Sequence, residues 1–324
     1  MKFKHAMIVS ALFCAGAVQG QGWAPQKNVE IVAPVPPGGT IDKFARSLER
    51  ALIAGKLVTA SMTIVNKPGG GNQIAYAYVS QHAADPHYLL ISTTTLLTSH
   101  ITGASKLTYT DFTPIASMFI DNIAFAVNSA SAIRDGKDLV ARMRTDPQSM
   151  TIGFSPTLGA HHHIISGLFM KAIGASPRDL KPVAFKGSAQ ALTALLGNHI
   201  ELVSTGAGNA SIHVASGKLR VVGVAAPQRL PGSMSGVPTW REQGIDLVYG
   251  SWRTIAAPKG ITGEQAEFWA NALRKVSETA EWKADLERNY WSEFFATGAQ
   301  LRANLEREYA AMKAVLVELG YAKQ

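Results

Sequence analysis

Short apolar runs alternate with helical patterns along this chain, and the alternation restarts near its middle. The run VEIVAPV, which begins at Val29, precedes apolar residues at helical spacing, among them Phe44, Leu48 and Leu52. The run MTIGFSP, which begins at Met150, opens a second series of the same kind. Because strands separated by helices pair in parallel, the pattern predicts an α/β fold whose mostly parallel sheets are flanked by helices.

The two series have similar lengths, and a further strand pattern, GSWRTIAAP at residues 250–258, follows the second one. This order predicts two lobes around a cleft. Lobe 1 comprises residues 27–125 plus 250–324, and lobe 2 comprises residues 126–249. Ligands of open α/β sheets bind beyond the carboxyl ends of the strands, so the strand-to-helix loops are the candidate binding elements.

The first twenty residues have the features of a cleaved secretory signal peptide. Lys2 and Lys4 precede an apolar run at residues 6–17, and small residues surround the expected cleavage point near Gly20. Cys14, the one cysteine, lies inside this segment, so the mature protein would have no disulfide and no cysteine-ligated metal.

The charge balance restricts the class of partner. Removal of the two signal lysines lowers the formal net charge from +8 to +6. A moderately basic exported protein fits a small anionic ligand or a loosely bound polyanion, although a dispersed basic surface accounts for the excess equally well. The chain has no run of five Lys or Arg residues, so we expect no nucleic acid partner.

The segment VAPVPPGGTIDKFAR places two glycines between a strand and a helix. It lacks both the G-x-G-x-x-G fingerprint and the Lys-Ser/Thr of a P-loop, which argues against a nucleotide. At a helix start, the N–H groups of Thr40 and Ile41 and the helix dipole suit one carboxylate, whereas a simple turn is the alternative. Asp42 is expected to cap the helix rather than to contact the ligand.

The segment SPTLGAHHHII contains three consecutive histidines, His161, His162 and His163. Successive helical residues point about 100° apart, so the three imidazoles cannot all face one ion, and we expect neither a metal nor a cofactor. His163 is expected to pack or to cap locally. The start of this helix is expected to face the first glycine loop across the cleft.

Two further features leave alternatives open. FSP at residues 154–156 lacks the flanking glycines of a nucleophile elbow, so we expect no enzyme activity, with an exported hydrolase as the alternative. Arg253 lies in the strand pattern GSWRTIAAP. It is either paired at the surface or directed into the cleft, where its guanidinium would bind a carboxylate.

Five segments give the chain a family resemblance; in order they are PPGGTIDKFAR, NKPGGGNQIAYAYV…ADPHYLLIST, LTYTDFTPIASM, VAFKGSAQALTALLGNHIEL and GSWRTIAAPKG. It resembles the Bug-type (Bordetella uptake gene) substrate-binding proteins of tripartite tricarboxylate transporters over essentially the whole mature length. The resemblance implies a periplasmic Venus flytrap fold. It also implies that a small carboxylate is held between the lobes and delivered to membrane permease subunits.

The resemblance further implies how the ligand is held. In the family, a carboxylate is bound through backbone N–H groups and ordered water at the loop after the first strand and at the start of the second-lobe helix. Carried over by position, the ligand-binding residues are Pro37, Gly38, Gly39, Thr40 and Ile41 in the first loop, Ser155, Ala160, His161 and His162 in the second, and Thr93 and Thr94 in a turn after a strand.

The sequence departs from the family pattern at several of these places. Thr205 and Gly206 stand where the family commonly has an Asp-Asn pair, which makes an amino-acid ligand less expected. His161 and His162 replace small polar residues, and Arg253 replaces an apolar or aromatic one. This bulkier, more cationic lining suggests a second ligand anion or a stacked aromatic ring, so di- and tricarboxylates and aromatic acids are the expected ligands. A role as a ligand sensor that presents its closed form to a histidine kinase is the alternative to uptake.

Overall fold

The computed structural model describes residues 22–323, so the predicted signal peptide at residues 1–20 lies outside the described residues. The described chain forms ten strands and ten α-helices, joined by turns and short 3₁₀ segments. The strands are β1 Val29–Ala33, β2 Met62–Asn66, β3 Tyr88–Thr93, β4 Phe112–Asn128, β5 Thr151–Phe154, β6 Lys181–Ala184, β7 Leu202–Gly206, β8 Leu219–Val224, β9 Gly250–Pro258 and β10 Trp291–Thr297. The helices are α1 Thr40–Ala54, α2 Gln73–Ser80, α3 Thr94–Ile101, α4 Gly136–Thr145, α5 His161–Ala172, α6 Ser188–Leu196, α7 Ala207–Ala215, α8 Gly263–Glu278, α9 Ala280–Arg288 and α10 Gly298–Glu318.

The long strand β4 belongs to two sheets. Its residues 112–122 pair with β9, in a first sheet of order β2-β1-β3-β9-β4 in which β10 also pairs with β4. Its residues 123–128 pair with β7 and β8, in a second sheet of order β6-β5-β7-β4. Each sheet and the helices packed on it form one lobe, which confirms the two-lobed α/β class.

The sheets are mixed rather than mostly parallel. Strands β1, β2 and β3 are parallel to one another, as are β5, β6 and β7, but β8, β9 and β10 run antiparallel to β4. The reason is the way the chain passes between the lobes. Strand β4 carries it from the first sheet to the second and β9 carries it back, so the two neighbours point in opposite directions.

Each lobe has its own apolar core. Helix α1 turns the predicted face, which includes Phe44 and Leu48, against the first sheet, where Trp269 of α8 and Trp282 of α9 complete the packing. In the second lobe the aromatic rings of Phe125, Phe169 and Trp240 pack together, with ring centroids 4.8 to 5.5 Å apart. Burial of one such side chain contributes about 1.5–3 kcal/mol, so each lobe is held by its own core.

The last helix, α10, contacts both cores. Leu301 and Leu305 pack beside Trp252 in the first lobe, while Met312 and Leu316 belong to the core of the second. Within residues 22–323, no helix combines the length and the apolarity that crossing a bilayer requires.

Candidate functional site

Three helices begin at one cleft between the lobes: α1 from the first lobe, and α5 and α6 from the second. Their N-cap residues are Gly39, Ala160 and Gly187, and within the described chain no side chain caps any of the three ends. The first N–H groups of an α-helix have no intrahelical acceptor, so these ends present free donors. The cavity between them has a volume of about 20 Å³, which is room for about one water molecule.

The start of α1 is fixed by its glycine loop and by Asp42. Gly38 adopts a φ of 98°, a left-handed conformation that glycine takes without strain, and donates its N–H to Asp42 Oδ2 at 3.1 Å. Arg46 and Asn66 also donate to this carboxylate, at 3.0 and 3.1 Å. Burial raises the pKa of Asp42, but these hydrogen bonds outweigh it and hold the pKa below its usual value. Asp42 therefore braces the loop and does not line the cleft.

The three histidines at the start of α5 have separate roles. His163 accepts a hydrogen bond on Nδ1 from the N–H of Gly159 at 3.0 Å and packs against the ring of Phe154, which confirms the predicted local packing. His162 Nδ1 lies 3.1 Å from the carbonyl oxygen of Ser155. His161 Nδ1 lies 3.3 Å from Thr95 Oγ1 on α3, in the opposite lobe.

Burial keeps these imidazoles neutral. Desolvation lowers the pKa of His162 to about 3 and that of His163 to about 4, and it holds the pKa of His161 well below its usual value. The expected cationic contribution of His161 and His162 is therefore absent from the closed cleft at neutral pH. They add bulk and hydrogen-bonding nitrogens instead.

Arg253 lines the cleft and is paired, but not at the surface. Its side chain is 1% exposed, and Nη2 donates to Oδ2 of Asp121, an equally buried carboxylate, at 2.7 Å. Nη1 donates to the carbonyl oxygen of Ser251 at 3.1 Å. Burial raises the pKa of Asp121 against the opposing effect of Arg253, and burial lowers the pKa of Arg253 against that of Asp121. Arg253 is thus paired, as in one of the two alternatives that the sequence left open, and directed into the cleft, as in the other.

Gly206 makes room for this ion pair. A Cβ atom on Gly206 would lie 2.7 and 2.8 Å from the two carboxylate oxygens of Asp121, and 2.8 Å from Thr40 Oγ1. The positions of Thr205 and Gly206 lack the acidic residue of the family pattern, but Asp121 brings a carboxylate from β4 to the same place. The only signal for Asp121 in the sequence is one acidic residue inside an apolar strand pattern.

The structure brings most of the predicted site residues together. Those that line the cleft are Pro37, Gly39, Thr40, Ile41, Ser155, His161, His162 and Arg253. Gly38 adjoins them in the loop, and Ala160 is the buried N-cap residue of α5. Their role as ligand contacts stays a prediction.

Thr93, Thr94 and Thr205 do not line the cleft. Thr93 caps α3 by accepting the N–H of Thr95 at 3.1 Å, and Thr94 Oγ1 lies 3.4 Å from Ser251 Oγ. Thr205 is buried on β7. Residues that the sequence analysis did not identify complete the lining: Val35, Pro36, Pro156, Gly187, Ser188 and Ala189. The Gly-Ser pair at the start of α6 was the one available signal for this third helix end.

Hydrogen bonds across the cleft hold the lobes in a closed arrangement. Asn209 Nδ2 of α7 donates to Thr40 Oγ1 of α1 at 2.9 Å, and Lys43 Nζ donates to the carbonyl oxygen of Gly208 at 3.3 Å. Two α/β lobes, joined by crossing strands and closed on a cleft of helix N-termini, define a two-lobed solute-binding protein.

Residues 33–320 match the family model described as "Tripartite tricarboxylate transporter family receptor", and the chain belongs to this family of periplasmic binding proteins. Its members and structural relatives are binding proteins and not enzymes. Protein BugT of Bordetella pertussis is 25% identical over 241 residues, which cover 73% of this chain and 72% of BugT.

Solved structures agree with this assignment. The structure of R. palustris Rpa4515 with adipate has a TM-score of 0.84 and 25% identity, and the match covers 92% of this chain and 99% of that one. The periplasmic binding protein BugD has the same TM-score of 0.84 at 22% identity, over 93% of this chain and 100% of BugD. These matches confirm the fold and the family that the sequence segments indicate.

Proposed function

We propose that this protein captures a small carboxylate between its lobes in the periplasm and delivers it to the permease subunits of a tripartite tricarboxylate transporter. The observation that carries the proposal is the convergence of uncapped helix N-termini from both lobes on one cleft. The adipate bound to Rpa4515, a relative with 25% identity, supports a carboxylic acid as the ligand class.

The chemistry of the cleft suits a carboxylate because its donors are main-chain N–H groups. Each helix N-terminus carries roughly half a positive charge, and the ends of α1 and α5 belong to different lobes. A carboxylate bound to both ends therefore links the lobes, so ligand binding favours closure. Membrane permeases can distinguish such a closed form from an open one.

Entry of the ligand requires the lobes to separate. A cavity with room for about one water molecule cannot hold an organic acid, so the cleft opens before a ligand binds. We propose that the moving parts are residues 27–125 plus 250–324 and residues 126–249. The change of β4 partners at residues 122–123 supports a boundary close to the proposed one.

A comparison of acids with their methyl esters tests the proposal. Thermal-shift screening of a carboxylate library identifies binders, and titration calorimetry then compares each acid with its ester. We expect the ester to bind at least about 100-fold more weakly, because it brings no charge to the helix N-termini. Equal affinity of acid and ester, or no binder in the library, would contradict the proposal.

Delivery to the permease has its own test. Uptake of a labelled acid, identified by the screen, is measured in cells that have the permease genes with and without this gene. We expect uptake to need both, and uptake without this protein would contradict the delivery role. The comparisons give no support to the alternative partnership with a sensor kinase.

A further inference from the structure

The lining of the cleft includes two polar side chains that belong to different lobes, Arg253 on β9 and His162 on α5. Both line the cleft, and they are 1% and 3% exposed. Three buried nitrogens of the lining, Arg253 Nε, His162 Nε2 and His161 Nε2, have no hydrogen-bond partner among the described residues. An unpaired buried polar atom is costly, so these nitrogens mark a place where a ligand group belongs.

Asp121 neutralises the charge of Arg253 whether the lobes are open or closed. The two side chains lie on neighbouring strands of one sheet, because Phe119 of β4 pairs with Arg253 and Asp121 pairs with Ser251. Their ion pair of 2.7 Å therefore does not depend on how far the lobes are closed. Among the described residues that line the cleft, Arg253 is the one Lys or Arg. A second ligand carboxylate would meet a neutralised guanidinium with an anion beside it.

Of these nitrogens, His162 Nε2 and Arg253 Nε have opposite hydrogen-bonding roles. His162 Nδ1 faces the Ser155 carbonyl oxygen, which only accepts, so Nδ1 carries the proton and Nε2 of the neutral ring is an acceptor. The pKa of about 3 for His162 keeps the ring in this neutral form. Arg253 Nε always carries a proton and is a donor. A hydroxyl group can donate a hydrogen bond to His162 Nε2 and accept one from Arg253 Nε. A carboxylate can only accept, and a methyl group can do neither.

From this arrangement we infer that the cleft selects small monocarboxylic acids that carry a hydroxyl group over dicarboxylic acids. Binding of the carboxylate at the helix N-termini rests on the proposed function. The hydroxyl group of the same acid binds between Arg253 and His162. The inference replaces the expectation that Arg253 binds a second ligand carboxylate. Because its two partners come from different lobes, the hydroxyl group also completes the closed state.

A matched set of acids tests the inference on the purified protein. At each chain length, calorimetry compares the acid with a terminal hydroxyl, the unsubstituted acid and the dicarboxylic acid. At the best length we expect the hydroxy acid to bind at least about 10-fold more tightly than the other two, since only it satisfies both nitrogens. Equal or tighter binding of the dicarboxylic acid overturns the inference and leaves the proposed function standing. Failure of every acid to bind overturns the proposed function itself.

Two variants test the roles of the residues. Asp121→Asn keeps the shape and removes the anion, and we expect the affinity ratio of dicarboxylic to hydroxy acid to rise at least about 10-fold. His162→Phe removes the acceptor, and we expect the preference for the hydroxy acid over the unsubstituted acid to disappear. Asp246→Asn, at a side chain that is 86% exposed, makes the same charge change at the surface and should leave both ratios unchanged. Unchanged affinity ratios in folded Asp121→Asn and His162→Phe proteins would overturn the inference. If either variant fails to fold, the comparison of acids on the wild-type protein decides whether the inference holds.

Discussion

Closure of the lobes can be tested by one methyl group added at a residue that does not line the cleft. Gly208 lies in the first turn of α7 in the second lobe and faces the carbonyl group of Asn289, which follows α9 in the first. A Cβ atom on Gly208 would lie 2.3 Å from the carbonyl oxygen of Asn289 and 2.9 Å from its carbon. Because these are main-chain atoms, no side-chain rotation relieves the contact, and Gly208→Ala can be accommodated by separation of the lobes.

The structure gives the size of the effect. Ordinary van der Waals contacts begin near 3.4 Å, so the main chains must move apart by roughly 1 Å. An overpacked contact of this kind costs about 1–3 kcal/mol, and here only the closed state carries that cost. Since ligand binding requires closure, we expect the dissociation constant to rise about 5- to 150-fold. The free energy of unfolding should change little because the open state has no such contact.

Calorimetry with the tightest acid of the library measures the affinity of the Gly208→Ala protein, and chemical unfolding measures its stability. Gly236→Ala is the matched control, because a Cβ atom on Gly236 meets nothing within 4 Å. Wild-type affinity in the Gly208→Ala protein would refute the claim that the ligand binds between closing lobes.

Three further predictions concern the buried polar groups. Arg253→Met should lower the free energy of unfolding by about 3–5 kcal/mol, because it leaves Asp121 unpaired. Adding Asp121→Leu should restore at least half of that loss, and no restoration in urea unfolding would contradict the pairing. His163 has a pKa of about 4 in the folded protein against 6.5 in the unfolded chain, so the unfolded state binds more protons between these pH values. The free energy of unfolding should therefore fall as the pH decreases through this window, by up to about 1.4 kcal/mol per pH unit from His163. His163→Gln should remove that part of the slope, and an unchanged slope in unfolding experiments would contradict the prediction. Asn209→Ala removes the hydrogen bond to Thr40 across the cleft and should weaken ligand binding about 2- to 10-fold in calorimetry, whereas unchanged affinity would show that the bond does not favour closure.

Local patterns predicted the elements that have strong local signals. The bounds of β9 agree with the predicted strand at residues 250–258, because a glycine and a proline mark its two ends. No local pattern in the sequence predicts the strand β10. Pairing of β10 with β4 is decided by tertiary packing that no local pattern contains.

In the candidate site, too, local sequence patterns predict some features, whereas tertiary packing decides the others. Glycine loops before helices indicated the ends of α1 and α5, since the conformational demands of such loops are visible in the sequence. The ion pair of Arg253 with Asp121 joins residues 132 positions apart, and the register of β4 against β9 alone brings them together. The neutral state of the histidines was equally hidden, because it depends on burial by both lobes.

A crystal structure of the complex with the tightest acid of the library tests the central claim most directly. The claim predicts ligand carboxylate oxygens within hydrogen-bonding distance, about 3 Å, of the main-chain nitrogens that begin α1 and α5. A carboxylate bound elsewhere, with both helix N-termini unoccupied, would contradict it.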